Sequence, residues 1–270
     1  MERYKALTIA GSDTSGGAGI QADLKTFQEL GVYGMNALTT IVAQNPFENW
    51  AHEVFPQEAK LVGKQIDTVL KGIGADAVKT GMLGSIEIIE LVANKIEEYG
   101  ISKLVVDPVM VCKGADEALN PETDACLCDV LVPKAFVVTP NLFEATQLSG
   151  HRIETLDDVK QAAQTIHQLG ADHVVIKGGS KLNHPQAVDV WYDGQSFTLL
   201  ENPEIDTTYT HGAGCTFAAA ITAMLAKGKS VEEAIHTAKD FVTAAIKHGS
   251  RLNEYVGSVA HGAYRHEKQN

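Results

Sequence analysis

Positive charge is what this sequence has least of for its size. Its 270 residues include 22 Lys and Arg against 34 Asp and Glu, a formal net charge of −12. A surface that acidic repels nucleic-acid backbones and anionic membranes, so neither is an expected partner. A charged-then-apolar leader and an apolar run of about 20 residues are both lacking, which points to a cytoplasmic protein without a membrane span. Cysteine is scarce. Cys112, Cys126, Cys128 and Cys215 form no CxxC and no cluster with zinc spacing, so the expectation is reduced thiols rather than a metal or disulfide framework. Cys126 and Cys128 are two apart on an expected helix and face different directions. The GxxxxGK[ST] phosphate loop and the GxGxxG dinucleotide spacing are missing too, which excludes a P-loop enzyme and disfavours an NAD-dependent oxidoreductase.

What the chain has is alternation. Hydrophobic residues make up 44%, enough for a sizeable core, and β-branched apolar runs alternate with amphipathic helical patterns throughout. Buried strands are expected at residues 6–10, 35–43, 77–79, 104–106, 136–138 and 174–176. A hairpin is expected over 187–191 and 195–200, turning at Asp193-Gly194. Helices carry Ile20, Leu24, Phe27 and Leu30 on one face, follow Ser85 as far as Gly100, and follow the capping pairs Thr155/Asp158 and Ser230/Glu233. The last dozen residues read as a polar, fraying end. Such alternation predicts one α/β domain over residues 1–270, with a mainly parallel central sheet and helices on both faces.

In sheets of this kind ligands bind beyond the carboxyl ends of the strands. There the sequence places residues 11–13, Thr80-Gly81-Met82, Asp107-Pro108, Thr139-Pro140-Asn141 and Lys177-Gly178-Gly179. The most informative stretch is His211-Gly212-Ala213-Gly214-Cys215-Thr216, a glycine turn opening a helix. Unpaired amides at a helix start form an anion cradle, and a thiol there is expected to have a lowered pKa. The alternative for Cys215 is a small buried hydrophobe. The turn from Gly11 to Gly19 suits a flexible segment closing over a small substrate. Asp23, on the apolar face of the following helix, either bonds the free amides of its own helix start or fixes a polar edge of the substrate. Asp107, Asn141 and Glu144 form either a magnesium site or an ordinary Asn cap with a first-turn Glu. Cys112, taken alone, reads as inert.

Six motifs occur in order along nearly the whole chain: Ala10-Gly11-Ser12-Asp13 with Gly16-Gly17-Ala18-Gly19-Ile20-Gln21-Ala22-Asp23, then Gly81-Met82-Leu83, Asp107-Pro108-Val109-Met110, Thr139-Pro140-Asn141, Lys177-Gly178-Gly179 and Thr210-His211-Gly212-Ala213-Gly214-Cys215. Together they resemble the hydroxymethylpyrimidine kinase branch of the ribokinase superfamily. Val111-Cys112-Lys113-Gly114 is similar to the lid of the two-cysteine bacterial pyridoxal kinases within it, as is the tail Asn253-Glu254-Tyr255-Val256-Gly257 with His261-Gly262. Gln44-Asn45 departs from that group and matches the pyrimidine kinases.

The resemblance implies a ribokinase-like fold with a small lid, ATP as donor, Mg2+, and a hydroxymethyl acceptor on a nitrogen heterocycle. That acceptor is pyridoxal or pyridoxine, with hydroxymethylpyrimidine or its monophosphate, or both classes, as alternatives; a non-catalytic vitamin-binding protein is the rival of another class. Gly212, Ala213 and Gly214 would cradle the migrating phosphoryl. Cys215 would activate or orient the acceptor, and a sulfur there suits an aldehyde. Cys112 would arrive with the lid. Gly11, Asp13, Gly19, Asp23, Gln44, Met82 and Val109 would surround the acceptor. Asn141, Lys177, Gly178, Gly179, Ser180, Thr210, Gly214 and Lys239 would meet ATP, with Asp107, Asn141 and Glu144 near the metal. Relatives in this superfamily also imply a homodimer.

Overall fold

The computed structural model describes residues 3–110 and 121–269. In chain order the elements are β1 (Lys5–Asp13), α1 (Gly19–Glu29), β2 (Tyr33–Asn45), β3 (Ala51–Pro56), α2 (Ala59–Leu70), β4 (Ala77–Thr80), α3 (Ile86–Glu98), β5 (Leu104–Val106) and α4 (Pro121–Cys126). A π turn (Leu127–Leu131) and a 3-10 turn (Val132–Lys134) lead to β6 (Val137–Val138), α5 (Leu142–Ser149), α6 (Leu156–Gln168) and β7 (His173–Gly179). The hairpin β8 (Ala187–Tyr192) and β9 (Phe197–Asn202) follows, then α7 (Ala213–Ala226), α8 (Val231–Lys247), β10 (Ser250–Arg251), β11 (Gly257–Ser258) and α9 (Ala263–Gln269).

The main sheet runs β3-β2-β1-β4-β5-β6-β7-β8-β9. Strands β2, β1, β4, β5, β6 and β7 are mutually parallel, and the edges are antiparallel. The chain moves outward from β1 to β2 and β3, then returns to the other side of β1 with β4. The gap between β1 and β4 is therefore a topological switch point, where a crevice opens at the strand ends.

Strand alternation divides the core in two. Leu7 and Ile9 of β1, Val78 of β4 and Val106 of β5 pack with Val62, Ile66, Ile88, Val159 and Ile166 from α2, α3 and α6. Ala6, Ala77, Val105 and Val137 face the other way, under Phe27 of α1 and the alanine-rich α7, with α8 outside them. The expected helix starts hold: Ser85 accepts from the Ile88 amide, and Thr155/Asp158 and Ser230/Glu233 are complete capping boxes.

Two expectations need correction. The segment 51–70, unassigned from sequence, forms β3 and α2; β3 is mostly exposed, so it lacks the apolar alternation that marks a strand. The end of the chain, expected to fray, is helical through Gln269, because Tyr264 packs on Phe241 and Glu267 accepts from Lys247 and His248. Among the described residues no helix is long and apolar enough to cross a membrane. The expected lid around Cys112 lies outside the described residues.

Candidate active site

A cleft of about 780 Å³ opens at the carboxyl ends of the parallel strands, beside the β1/β4 switch point. It gathers Gly11, Asp13, Gly19, Gln44, Met82, Val109, Asp107, Asn141, Glu144, Lys177, Gly178, Gly179, Ser180, Thr210, Gly212, Ala213, Gly214, Cys215 and Lys239. Of the expected site residues, Asp23 is absent from its walls and Cys112 lies outside the described residues. Spacing in the chain is thus converted into one rim by the parallel topology.

The α7 end of the cleft is an open turn. Gly212 has φ +86°, and a Cβ there would run into the Gly17 carbonyl oxygen. Only glycine allows the two glycine turns this approach. The Ala213 amide donates to the Thr210 carbonyl at 3.1 Å and the Thr216 amide to Gly212 at 2.9 Å. The expected cradle is corrected accordingly: among the described residues, the amides of Gly212, Gly214 and Cys215 have no protein acceptor, whereas that of Ala213 is spent. A Cβ on Gly214 would sit 3.4 Å from Lys177 Nζ. Open amides and an ammonium therefore face the same space, which suits an anion.

The turn from Gly11 to Gly19 is the opposite, tied down rather than flexible. Asp13 Oδ2 accepts from the Gly17 amide (3.0 Å), the Ala18 amide (2.7 Å), Ser15 Oγ (2.9 Å) and His211 Nε2 (2.8 Å). Its Oδ1 accepts from the Ser15 amide and from Gln44 Nε2 at 2.7 Å. Burial pushes this carboxyl up, but His211, Ser15 and the Ala18 amide outweigh it and hold it well below the usual carboxylate range. Asp13 therefore orients Gln44 and His211 instead of offering free oxygens to a substrate.

Asp23 is also corrected. It bonds neither its own helix start nor the cleft: it is fully buried, accepting from Thr8 Oγ1 at 2.6 Å and Lys79 Nζ at 3.1 Å. Lys239 lines the cleft, but its ammonium is held by Asp189 Oδ2 (2.9 Å) and the Ala187 carbonyl, while Asp189 Oδ1 accepts from the Gly179 amide. Its charge fastens the strand-end glycines.

Cys215 overturns the expectation of an acidified thiol. Burial pushes it up to about 12; Lys79 and the Gly19 amide pull the other way, and Asp23 and Asp107 add to the rise. The helix start is only a partial charge, and the burial of the thiol exceeds it.

Beside the turn before α7, Lys177 Nζ bridges to Asp107 Oδ1 at 2.8 Å. Burial raises the Asp107 carboxyl, but Lys177 and Lys79 hold it below its usual range; Lys177 itself is held above that of lysine, chiefly by Asp107 and Glu144 against burial. Asn141 and Glu144 form a reciprocal capping box, with amide-to-oxygen distances of 2.8 and 2.9 Å, so the ordinary-cap reading is correct as far as it goes. Yet both also line the cleft, and burial pushes Glu144 up to about 7, opposed by Lys177 and reinforced by Asp107. Among the described residues no three His, Cys, Asp or Glu side chains gather into a metal cluster. Two buried carboxylates fit magnesium only in its usual mode, with waters and nucleotide phosphates completing the shell.

Residues 13–260 match the phosphomethylpyrimidine kinase family. The chain belongs to that family. It is 58% identical over 270 residues to a pyridoxine kinase of Bacillus subtilis (strain 168), covering all of both chains. It is 46% identical over 270 residues to a hydroxymethylpyrimidine/phosphomethylpyrimidine kinase of the same organism, covering 100% of this chain and 99% of the relative. Among solved structures it is similar to the ADP complex of Bacillus subtilis pyridoxal kinase, with a TM-score of 0.95, 59% identity and coverage of 98% and 99%. It is likewise similar to Staphylococcus aureus pyridoxal kinase in complex with AMP-PCP and pyridoxal, with a TM-score of 0.92, 51% identity and coverage of 98% and 96%.

In this phosphomethylpyrimidine kinase family member the cleft also contains residues that sequence reading missed. His52 lies on β3, directly across from Gln44. Only recognition of β3 as a strand could have placed it there. Ile205, Val242 and Ile246 form an apolar wall, and such residues are indistinguishable from core in a sequence. Lys79 lines the floor although it reads as the interior of a buried strand.

Proposed function

We propose that this chain, acting as a single kinase domain, transfers the γ-phosphoryl group of ATP to the 5′-hydroxymethyl group of pyridoxal or pyridoxine. The observation that carries this reading is the open amides of Gly212, Gly214 and Cys215 facing the Lys177 ammonium. The named relatives support the choice of chemistry: 58% identity to a pyridoxine kinase against 46% to a pyrimidine kinase.

Phosphoryl transfer depends on alignment and on neutralising charge on the migrating group. The three amides and Lys177 hold that group, while Gly178, Gly179, Ser180, Thr210 and Asn141 flank the nucleotide phosphates. Ile205, Val242 and Ile246 offer the flat base an apolar wall. Asp107 and Glu144, with Asn141 alongside, would hold magnesium, which supplies further neutralisation to the phosphates. Across the cleft Gly11, Gly19, Gln44, Met82 and Val109 surround the acceptor ring, with Asp13 fixing Gln44. Cys215 activates or orients the acceptor hydroxyl. Cys112 is assigned to the lid.

Parallel assays with pyridoxal, pyridoxine, hydroxymethylpyrimidine and its monophosphate test this. The expected result is the highest kcat/KM with pyridoxal or pyridoxine. The monophosphate reacting fastest would move the assignment to thiamine synthesis, the reading favoured by Gln44 and by the pyrimidine-kinase relative. No phosphorylated product from any acceptor would leave a vitamin-binding protein. The chain is also proposed to be a homodimer; Ile41 and Phe55, paired across β2 and β3, and Phe47 give apolar surface at the sheet edge. Light scattering at twice the monomer mass is the expected result.

A further inference from the structure

The hairpin that brings Gln44 and His52 to the cleft turns through Asn45-Pro46-Phe47-Glu48-Asn49-Trp50. Local bonds tie its tip: the Trp50 amide donates to the Asn45 carbonyl at 3.0 Å, the Ala51 amide to that of Glu48 at 3.0 Å, and the Phe47 amide to Asn45 Oδ1 at 2.9 Å. The turn closes on two left-handed residues, Asn49 at φ +50° and Trp50 at φ +65°. Asparagine accepts that conformation readily. A bulky side chain does so only against a steric cost, and glycine is the usual occupant of such a position. A costly backbone of this kind persists where the surroundings hold it in place.

Tyr255 is what holds the indole. The two rings are nearly parallel, 13° apart, with centroids separated by 6.2 Å. Tyr255 sits on a second tight turn, between β10 and β11, where Asn253 Oδ1 accepts from the Tyr255 and Val256 amides at 2.9 Å each. Two residues on, the Gly257 carbonyl accepts from the His211 amide at 3.1 Å, and the Val259 amide donates to the His211 carbonyl at 3.2 Å. A side chain on Gly257 would strike the Tyr209 ring, so the backbones lie close. The tail segment 253–257 thus braces the entry to the open turn at one end and meets Trp50 at the other.

The β2–β3 hairpin is therefore fastened twice. On its inner face Gln44 Nε2 donates to Asp13, which also holds the His211 ring. At its tip Trp50, two residues from His52, lies on Tyr255, whose turn holds the His211 backbone. Both fastenings end on the residue that precedes Gly212. Trp50 itself is outside the walls of the cleft, whereas Gln44 and His52 line it.

We propose that Trp50 is a positioning residue for the acceptor: clasped on Tyr255, it fixes the β2–β3 hairpin so that Gln44 and His52 stand at the acceptor end of the cleft. This rests on the kinase reading above. The nucleotide end is built from other elements, so loss of the clasp falls on the acceptor.

Trp50→Gly is the deciding variant, because it removes the ring and also relieves the left-handed backbone. A residue that serves only the turn loses nothing by this change. We expect KM and calorimetric Kd for pyridoxal to rise about fivefold, with kcat and ATP KM within about twofold and the melting midpoint within about 3 °C of the parent. Tyr255→Ala leaves the β2–β3 turn untouched and should match Trp50→Gly, Tyr255→Phe should behave as the parent, and the double variant W50G/Y255A should be no worse than either single change. Trp50 and Trp191 are the two tryptophans, and the buried Trp191 Nε1 has no partner among the described residues, so Trp191→Phe isolates the Trp50 emission without breaking a hydrogen bond. In that background Tyr255→Ala should redden the emission and speed quenching by acrylamide.

A pyridoxal Kd within about twofold of the parent in Trp50→Gly and Tyr255→Ala overturns the proposal. So do equal rises in the acceptor and ATP constants, additive losses in the double variant, or an unchanged emission. A parent that binds pyridoxal or hydroxymethylpyrimidine but phosphorylates neither overturns the kinase reading instead, and the Kd series still decides the clasp. A parent that binds neither overturns both.

Discussion

Two glycine-rich turns meet at the cleft, built from similar residues and put to opposite use. The turn before α1 is filled from within: the Asp13 carboxylate takes up the Gly17 and Ala18 amides together with Ser15, His211 and Gln44. The turn before α7 leaves the Gly212, Gly214 and Cys215 amides without an acceptor among the described residues. Glycine content alone thus does not make an anion site. What decides is whether the fold already supplies an anion, and here the protein supplies one to the first turn and leaves the second for a ligand. The two are mechanically joined, since the Gly17 carbonyl packs against Gly212 and His211 spans both.

The comparison is broken most severely at Gly212. Gly212→Ala places a Cβ on the Gly17 carbonyl and forces an alanine into a left-handed conformation. It should cut kcat by about 1,000-fold through loss of the cradle. Steady-state kinetics within about tenfold of the parent would show the open turn is not the phosphoryl site. Cys215→Ala should lower kcat by about 100-fold while calorimetric ADP affinity changes by less than about twofold; weakened ADP binding of the same size would place the thiol on the nucleotide side.

Asp13→Asn sharpens the contrast, because an amide nitrogen cannot accept from Gly17 and Ala18. It should raise acceptor KM about tenfold, equivalent to about 1.4 kcal/mol, and lower stability by about 2 kcal/mol. ATP KM should stay nearly constant, and an equal rise in both constants would deny that the closed turn serves the acceptor alone.

The smallest effect lies behind the open turn, where His261 Nε2 meets Thr216 Oγ1 at 3.1 Å. Burial, aided by Lys25, pulls His261 from 6.5 down to about 4. Between those values the unfolded chain binds a proton that the folded chain does not. The stability contributed by neutral His261 is complete above pH 6.5 and falls as the pH drops toward 4, by on the order of 2 kcal/mol at pH 4.5. Urea unfolding of His261→Gln should show that much less loss than the parent between pH 7 and 4.5. Equal losses would mean that the histidine is not held neutral.

Much of this was legible in the chain. The buried strands β1, β4 and β5 announce themselves by apolar β-branched runs, and Ser85, Thr155 and Ser230 mark helix starts because capping is local. The motif residues at strand ends assemble as expected, since parallel topology brings strand ends together whatever lies between them. β3 escaped notice because an exposed edge strand carries no apolar alternation, and His52 was lost with it. The apolar wall of Ile205, Val242 and Ile246 was invisible because such side chains look alike in core and cleft. The expectation of an acidified Cys215 failed for a different reason: it set the helix start, which is local, above burial, and Asp23 and Asp107 reach the thiol from elsewhere in the fold.

By itself the sequence determined the buried strands, the capped helices, the parallel class of the sheet and the glycine turns, because each depends on residues a few positions apart. Only the tertiary structure decided which turn is filled, where Asp23 finds Lys79, and in which direction the thiol is shifted. Those outcomes depend on charges brought together from distant parts of the chain into buried or half-buried positions, where their interactions are stronger than in bulk solvent.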